Sequence, residues 1–324
     1  MPYRIVATLG PRSDSESVWH RLLDAGATGF RLNTSHTSRD ALQSWLDRLE
    51  RFLARLRPRP NLVLDLQGSK WRLGAFDAFD LIPGQQLTLI CAHDTKQPHC
   101  LPVPHEDFFR AASLSSCELV LDDAKIRLAI GRVQPDRLAA KVITGGPILS
   151  RKGITYTDSA FRQERLSEAD QRILTGTRGF PNLGYAISYV KDGVEMASYR
   201  AQIGPDAFLI GKLERREAMV EAASIGRSTN ELWVCRGDLG AEVGPRTMAE
   251  SVHRLSQQVR TLPVPVLLAG QVFEHMTEHA APTRSELCAA FDALQSGYAG
   301  FVLSDETAVG CDPVESCRMA AIFR

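Results

Sequence analysis

Along the chain, short apolar runs rich in β-branched residues alternate with longer amphipathic stretches. The short runs are Ile5 to Leu9, Gly29 to Leu32, Leu62 to Leu66, Tyr185 to Val190, Phe208 to Leu213, Leu232 to Cys235, Val264 to Ala269 and Gly300 to Leu303, which predicts eight strands. Most stretches between them read as helices. Ser13-x-x-Glu16 resembles a capping box ahead of Val18, Leu22 and Leu23, and Gly26 is placed to end that helix. Leu42, Trp45, Leu46, Leu49, Phe52, Leu53 and Leu56 form a second apolar stripe at helical spacing, stopped by Arg-Pro-Arg-Pro at 57–60. Eight β-then-α units predict parallel strands with right-handed crossovers. Eight is also the number that closes an α/β (β/α)8 TIM barrel, with an open doubly wound sheet as the alternative.

One interval breaks this rhythm. Between Arg72 and Leu166 lie Pro83-Gly84, the strand-like Leu87 to Cys91, Leu119 to Leu121, Ile126 to Ile130 and Leu138 to Ile143, and Gly145-Gly146-Pro147. Short strands punctuated by turn residues predict a small β-rich domain inserted after strand 3. The expected organisation is barrel over 1–72, inserted β lid over 73–164, and barrel again over 165–324.

Composition narrows the class of partner. In 324 residues, Lys plus Arg and Asp plus Glu both number 38, so the formal charge is zero and the basic footprint of a nucleic-acid or membrane-surface binder is missing. Hydrophobic residues at 44% and charged residues at 23% exclude disorder and coiled coil. No apolar run approaches the ~20 residues that span a bilayer, and Met1 leads straight into a strand with no leader pattern. The seven cysteines are scattered and include no C-x-x-C pair, which disfavours a disulfide framework or a Cys-rich zinc site and fits a reducing cytoplasm.

In such a barrel the chemistry gathers at the carboxyl ends of the strands. Here those ends are polar: Arg31-Leu-Asn33-Thr-Ser35-His36, Asp65, Lys212-Leu-Glu214, Arg236-Gly-Asp238 and Ser304-Asp305-Glu306-Thr307. Alternation puts Arg31, Asn33 and Ser35 on one face of their strand, and Lys212 and Glu214 on one face of theirs. Carboxylates without His or Cys beside them make a hard oxygen site suited to Mg2+ or Mn2+. Lys212 and Arg31 would make the pocket cationic, fit for a phosphate or a compact carboxylate. Read singly, each charge is equally well a surface salt bridge; the set points to a site.

At these residues the sequence resembles the pyruvate kinase family, collinearly over essentially the whole chain. The resemblance is carried by Ile5-Val-Ala-Thr-Leu-Gly-Pro11, Ala25-Gly26 to Arg31-Leu-Asn-Thr-Ser-His36, Asp65-Leu-Gln-Gly68 through Arg72, Leu121-Asp-Asp123 and Ser150-Arg-Lys-Gly153. It continues through Gly211-Lys-Leu-Glu214, Arg236-Gly-Asp-Leu-Gly240, Pro282-Thr-Arg284 and Leu303-Ser-Asp-Glu-Thr-Ala308. It implies a (β/α)8 barrel with a β lid after strand 3, and transfer of the phosphoryl group of phosphoenolpyruvate to ADP, giving pyruvate and ATP. It further implies that Glu214 and Asp238 hold the divalent metal and that Lys212 stabilises the transferring phosphoryl and the enolate. Arg31 would bind phosphate, the backbone at Gly237 and Asp238 the substrate carboxylate, and Arg72 with the lid residue Lys152 the nucleotide. A homo-oligomer is compatible with it. The family's C-terminal regulatory domain is expected to be absent, since the chain stops at Pro313 to Arg324, where the last barrel helix falls.

Some positions depart from the family. After strand seven its Thr-Gln, whose Thr assists protonation of the enolate, is Gly270-Gln271, and near strand three its Lys-Gly-Pro is Gln67-Gly68-Ser69. Leu66 stands where Thr is common, a residue that acts largely through its backbone carbonyl. Lys70 replaces Glu, as in members independent of potassium, so the site formed by Asn33, Ser35, Asp65 and Leu66 is expected to need no K+. The alternatives are an enolate-forming lyase or aldolase of the phosphoenolpyruvate/pyruvate barrel type, favoured by Gly270, Gln67 and Ser69, and a silent phosphoenolpyruvate-binding protein. His275-Met-Thr-Glu278-His279 fits the H-x-x-E-H zinc pattern, but is expected on the helix after strand seven, where the family has ordinary polar residues. Phe108-Phe109 reads as lid core.

Overall fold

The computed structural model describes residues 3–36, 39–112, 118–122, 124–157 and 162–324. Asp123 and the side chain of His36 lie outside the described residues. The chain forms two compact units, the first of residues 1–68, 166–236 and 251–324, the second of residues 69–165 and 237–250.

The first unit is a closed barrel. Its strands are β1 (Arg4–Leu9), β2 (Gly29–Asn33), β3 (Asn61–Leu66), β4 (Leu183–Ile187), β5 (Phe208–Leu213), β6 (Glu231–Cys235), β7 (Val266–Ala269) and β8 (Gly300–Leu303). All are parallel, each pairs with its sequence neighbours, and β8 pairs with β1 to close the ring. The open-sheet alternative is thereby excluded. Alternate residues point inward, so Val6, Val63, Ala186, Ile210, Trp233, Cys235, Leu267, Ala269 and Val302 fill the interior as one cluster. The same alternation, continued upward, aims Arg31, Asp65 and Lys212 along the barrel axis at the carboxyl ends.

Two local details differ from the sequence reading. The run expected to reach Val190 leaves the sheet after Ile187, because Tyr189 adopts φ +60° and its N–H donates to Glu214 Oε2 at 2.8 Å. The helix Glu16–Asp24 is capped by Ser15, whose hydroxyl accepts from the Val18 N–H; Ser13 instead sits buried in a 3-10 turn, its hydroxyl taken by the Gly10 N–H at 3.0 Å. Gly26, at φ +110°, follows that helix as expected.

The second unit is β-rich. A six-stranded sheet runs in the order Ile154–Tyr156, Leu119–Leu121, Ile126–Gln134, Arg137–Thr144, Gln86–Ile90 and Cys100–Pro102, and Phe79–Leu81 pairs separately with Gly146–Ile148. Its core centres on aromatic rings. Phe108 stacks on Tyr156 at 4.8 Å between centroids, and Trp71 meets both edge-on. Phe108 and Phe109 are therefore core, as expected. The helix Arg236–Ser256 breaks at Gly244, whose φ of 78° lies ahead of Pro245. Among the described residues no helix is long and apolar enough to cross a membrane.

Candidate active site

Lys212, near the end of β5, is the centre of the arrangement in the barrel. Its ammonium lies 3.0 Å from Asp65 Oδ2, 2.8 Å from Glu214 Oε1 and 2.9 Å from Ser188 Oγ. Asp65 in turn takes a forked pair from Arg31, Nε at 2.8 Å and Nη2 at 2.6 Å, both on Oδ2. Thr8 Oγ1 accepts from Arg31 Nη1 at 2.8 Å and donates to the Leu303 carbonyl at 2.6 Å, which ties the guanidinium to β1 and β8. Strand register makes these meetings inevitable. Asn33 is opposite Asp65 across β2 and β3, and Asp65 is opposite Ala186 on β4, whose chain continues into Ser188.

Two cations and two carboxylates thus share one interior, where Lys212 is 7% exposed and Glu214 fully buried. The cluster is electrically neutral, the condition under which buried charge is tolerated. Burial by itself pulls the Lys212 ammonium down, yet Asp65 and Glu214 reverse this and leave its pKa above the ordinary lysine value. For Asp65, burial opposes ionisation, but Lys212 and Arg31 prevail and hold its carboxyl below the usual carboxylate range. Both shifts favour the charged forms of the pair.

Around this centre the remaining barrel residues are accounted for. Asn33 Oδ1 accepts from the Ser35 N–H at 3.1 Å, Thr34 Oγ1 donates to the Asp65 carbonyl at 2.7 Å, and Leu66 is buried with its carbonyl 3.4 Å from the Ser188 N–H. The N–H groups of Gln67 and Gly68 both donate to the Asp170 carboxylate at 3.0 Å. Gly68 has φ +58°, and a Cβ there would collide with the Ser188 carbonyl. At the end of β7, Gly270 and Gln271 have φ of 71° and 55°, and Arg236 donates to both their carbonyls, at 3.0 Å and 2.6 Å from Nη2. The missing family Thr has a backbone reason: a β-branched residue is strained at φ +71°.

Lys70, Arg72, Lys152, Gly237 and Asp238 belong to the second unit. Lys70 Nζ is paired with Asp238 Oδ1. Arg72 Nη1 donates to the Arg151 carbonyl at 3.0 Å, and the Arg72 N–H donates to His105 Nε2 at 3.2 Å. Lys152 is paired with Asp122 at 2.7 Å. Burial holds the His105 imidazole neutral, lowering its pKa to about 4.

Ser188, Thr8 and Cys235 were not picked out from sequence as site residues. Ser188 was concealed inside an apolar run, and only the alternation along β4, extended one step past its end, marks it as inward-facing. Cys235 sits opposite Ala269, faces the same barrel interior as Trp233 and is 8% exposed. The His275 and His279 rings stack at 3.7 Å, but His275 lies in a short 3-10 turn, Glu274–Thr277, and His279 just beyond it, not on the long helix, which begins at Arg284. Among the described residues no three His, Cys, Asp or Glu side chains are gathered to hold a metal by themselves. A divalent ion would then rely on two carboxylates and complete its shell with water or substrate oxygens.

The closed parallel strands, with paired cations and carboxylates at their ends, define a (β/α)8 barrel with a charged candidate site. Residues 2–317 match the model of the pyruvate kinase barrel domain, and the chain belongs to the pyruvate kinase family. It is 32% identical over 320 residues to a pyruvate kinase of Agrobacterium vitis, covering 98% of this chain and 66% of that protein. It is 31% identical over 316 residues to the pyruvate kinase of Methylorubrum extorquens, covering 97% of this chain and 66% of that one. The chain thus spans about two thirds of the length of these relatives. A crystal structure of a pyruvate kinase from Cryptosporidium parvum has the same fold, with a TM-score of 0.83 at 22% identity over 99% of this chain and 68% of that chain.

Proposed function

We propose that the chain transfers the phosphoryl group of phosphoenolpyruvate to ADP, giving pyruvate and ATP, with Mg2+ or Mn2+ as cofactor. The single observation that carries this reading is the Lys212 ammonium, buried, charged and framed by Asp65, Glu214 and Ser188 at the mouth of a pyruvate kinase-family barrel.

An ADP oxygen attacks phosphorus, the bond from phosphorus to the enol oxygen breaks, and the electron pair stays on that oxygen as an enolate, which takes a proton at carbon. Lys212 opposes the negative charge that grows on the phosphoryl and enolate oxygens; because its cationic form is fixed in advance, little reorganisation is needed. Arg31 supplies a second cation for phosphate, held by Asp65 and Thr8 at the correct height. Backbone N–H groups at Gly237 and Asp238 receive the substrate carboxylate, and Arg72 and Lys152 meet the nucleotide phosphates. Glu214 and Asp238 would hold the divalent ion through carboxylate oxygens, the hard donors it takes; each carboxylate is paired with a lysine, Lys212 on Glu214 and Lys70 on Asp238. When bound, the ion supplies Lewis-acid charge neutralisation on substrate oxygens. A site of Asn33, Ser35, Asp65 and Leu66 that needs no K+ is proposed from the lysine at position 70, whose ammonium pairs with Asp238. Gly270 brings no hydroxyl to the enolate, and one missing donor of this kind costs roughly 10²- to 10³-fold in rate unless water replaces it.

The lyase reading is disfavoured, since the relatives named above are pyruvate kinases over nearly the whole chain. Pyruvate release from phosphoenolpyruvate, measured by a coupled assay with and without ADP and Mg2+, tests the proposal. Activity is expected only with both, and Lys212→Met is expected to abolish it. Equal activity in the variant overturns the role of Lys212, and release without ADP points to lyase or phosphatase chemistry instead.

A further inference from the structure

Lys70 and Asp238 are separated by 168 residues in sequence and meet inside the second unit. Their side chains are 11% and 17% exposed, so the pair is largely withdrawn from water. We propose that Lys70 is a tethered cation that competes with the divalent ion for Asp238, and that Gly153 sets the reach of its ammonium. The inference rests on Asp238 being a metal ligand, as proposed above.

Three observations support it. The first is the pair itself, which places a full positive charge on an oxygen that would otherwise face the metal. The second is clearance. A Cβ at Gly153 would stand 2.9 Å from Lys70 Cε and 3.5 Å from Nζ, so a larger residue there would make the flexible end of the lysine shift. The third is rigidity on both sides of that crossing. The Leu73 N–H donates to the Lys152 carbonyl at 2.9 Å and the Ile154 N–H to the Trp71 carbonyl at 3.1 Å, while Arg162 Nη1 holds the Ser69 carbonyl at 2.9 Å. The other lysine of this segment, Lys152, is paired with Asp122. The backbone carrying Lys70 is therefore fixed, and its ammonium is presented to Asp238 at a high local concentration that no diffusible cation matches.

An ammonium and a divalent ion on one carboxylate repel each other. Metal binding must then displace or bear the charge of Lys70, which weakens affinity. Charges a few ångströms apart at an interfacial dielectric interact strongly enough to change binding by about tenfold or more.

The test is Mn2+ binding to the whole chain without substrate or nucleotide, read from the loss of the free-ion electron paramagnetic resonance signal. Lys70→Met is expected to bind Mn2+ about tenfold more tightly than the parent, Lys70→Arg to stay near the parent, and Gly153→Ala to shift in the direction of Lys70→Met by less. Damage to the fold would weaken binding, so a gain is not explained by it. Asp238→Asn separates the two levels of the argument. If it binds Mn2+ as the parent does, Asp238 is no ligand and both readings fall. If it loses binding while Lys70→Met binds no more tightly than the parent, the competition alone is overturned.

Discussion

Removing the positive charge of Lys212 tests whether the barrel centre is held by charge balance. The cluster contains Arg31 and Lys212 against Asp65 and Glu214, and Lys212 touches both carboxylates within 3.0 Å. At an effective dielectric of 20 each such contact carries gross attraction of roughly 5 kcal/mol, much of it offset by the cost of withdrawing the ions from water. Lys212→Met leaves Asp65 with Arg31 and removes the ammonium that pairs with the buried Glu214 carboxylate. Breaking a buried pair from one side costs about 3–5 kcal/mol. Against a total stability of about 5–15 kcal/mol, that is a large fraction and is readily measured by urea denaturation followed by far-UV circular dichroism. Adding Glu214→Gln restores neutrality, and its amide oxygen can still accept from the Tyr189 N–H. The double variant is therefore expected to be more stable than Lys212→Met by about 1–3 kcal/mol, a coupling typical of groups in direct contact. A Lys212→Met protein within 1 kcal/mol of the parent, a threshold set by the usual size of such losses, would refute the charge-balance argument, and so would a double variant less stable than the single.

Three further outcomes are expected. His105 is held neutral with a pKa of about 4, below its ordinary 6.5, so the unfolded chain binds the extra proton between those values. Its contribution is fully present above pH 6.5 and is lost as pH falls towards 4, by about 3 kcal/mol at the limit; in His105→Gln the slope of stability against pH in this window should flatten. Gly270→Thr, which restores the family residue, is expected to cost about 1–2 kcal/mol because φ is +71°, and to leave turnover unimproved; a rise in kcat would show that the turn adapts. Gly68→Ala combines left-handed strain with a clash against the Ser188 carbonyl, and a loss of at least about 2 kcal/mol is expected in thermal or urea unfolding, where a neutral result would contradict the geometry.

The barrel was legible because its strands bury both faces and so appear as continuous apolar runs, and because the polar residues that close those runs interrupt them visibly. The β-rich inserted unit followed from its turn residues. What stayed hidden was whatever depends on one atom's partner. Ser13 has the spacing of a cap, but the Gly10 amide claims its hydroxyl and Ser15 caps the helix instead. Tyr189 belongs to an apolar run by composition, but the Glu214 carboxylate 25 residues away draws its N–H out of the sheet. Pairwise periodicity carries no record of such long-range hydrogen bonds. Gly270 read from sequence as a lost hydroxyl; its positive φ and the bracing by Arg236 show a turn built for glycine.

The same limit applies to Lys70, and here it changes the chemistry. From sequence, a lysine in place of glutamate reads as a substitute for a monovalent ion. In the folded second unit its ammonium lies on Asp238, just as Lys212 lies on Glu214 in the barrel. Each carboxylate assigned to the metal therefore already has a lysine as counter-ion, and neither must wait for a divalent ion to be neutralised. On the reading proposed above, metal arrival would be an exchange of cations on carboxylates already paired rather than the relief of an unbalanced charge. An exchange releases less free energy than relief of bare charge, so affinity would be tunable through a lysine whose shortening or displacement alters the competitor without touching a ligand. Lys212 cannot be used this way, because the barrel interior depends on it for neutrality. Lys70, in a separate compact unit with Gly153 beneath its stem, can be altered independently.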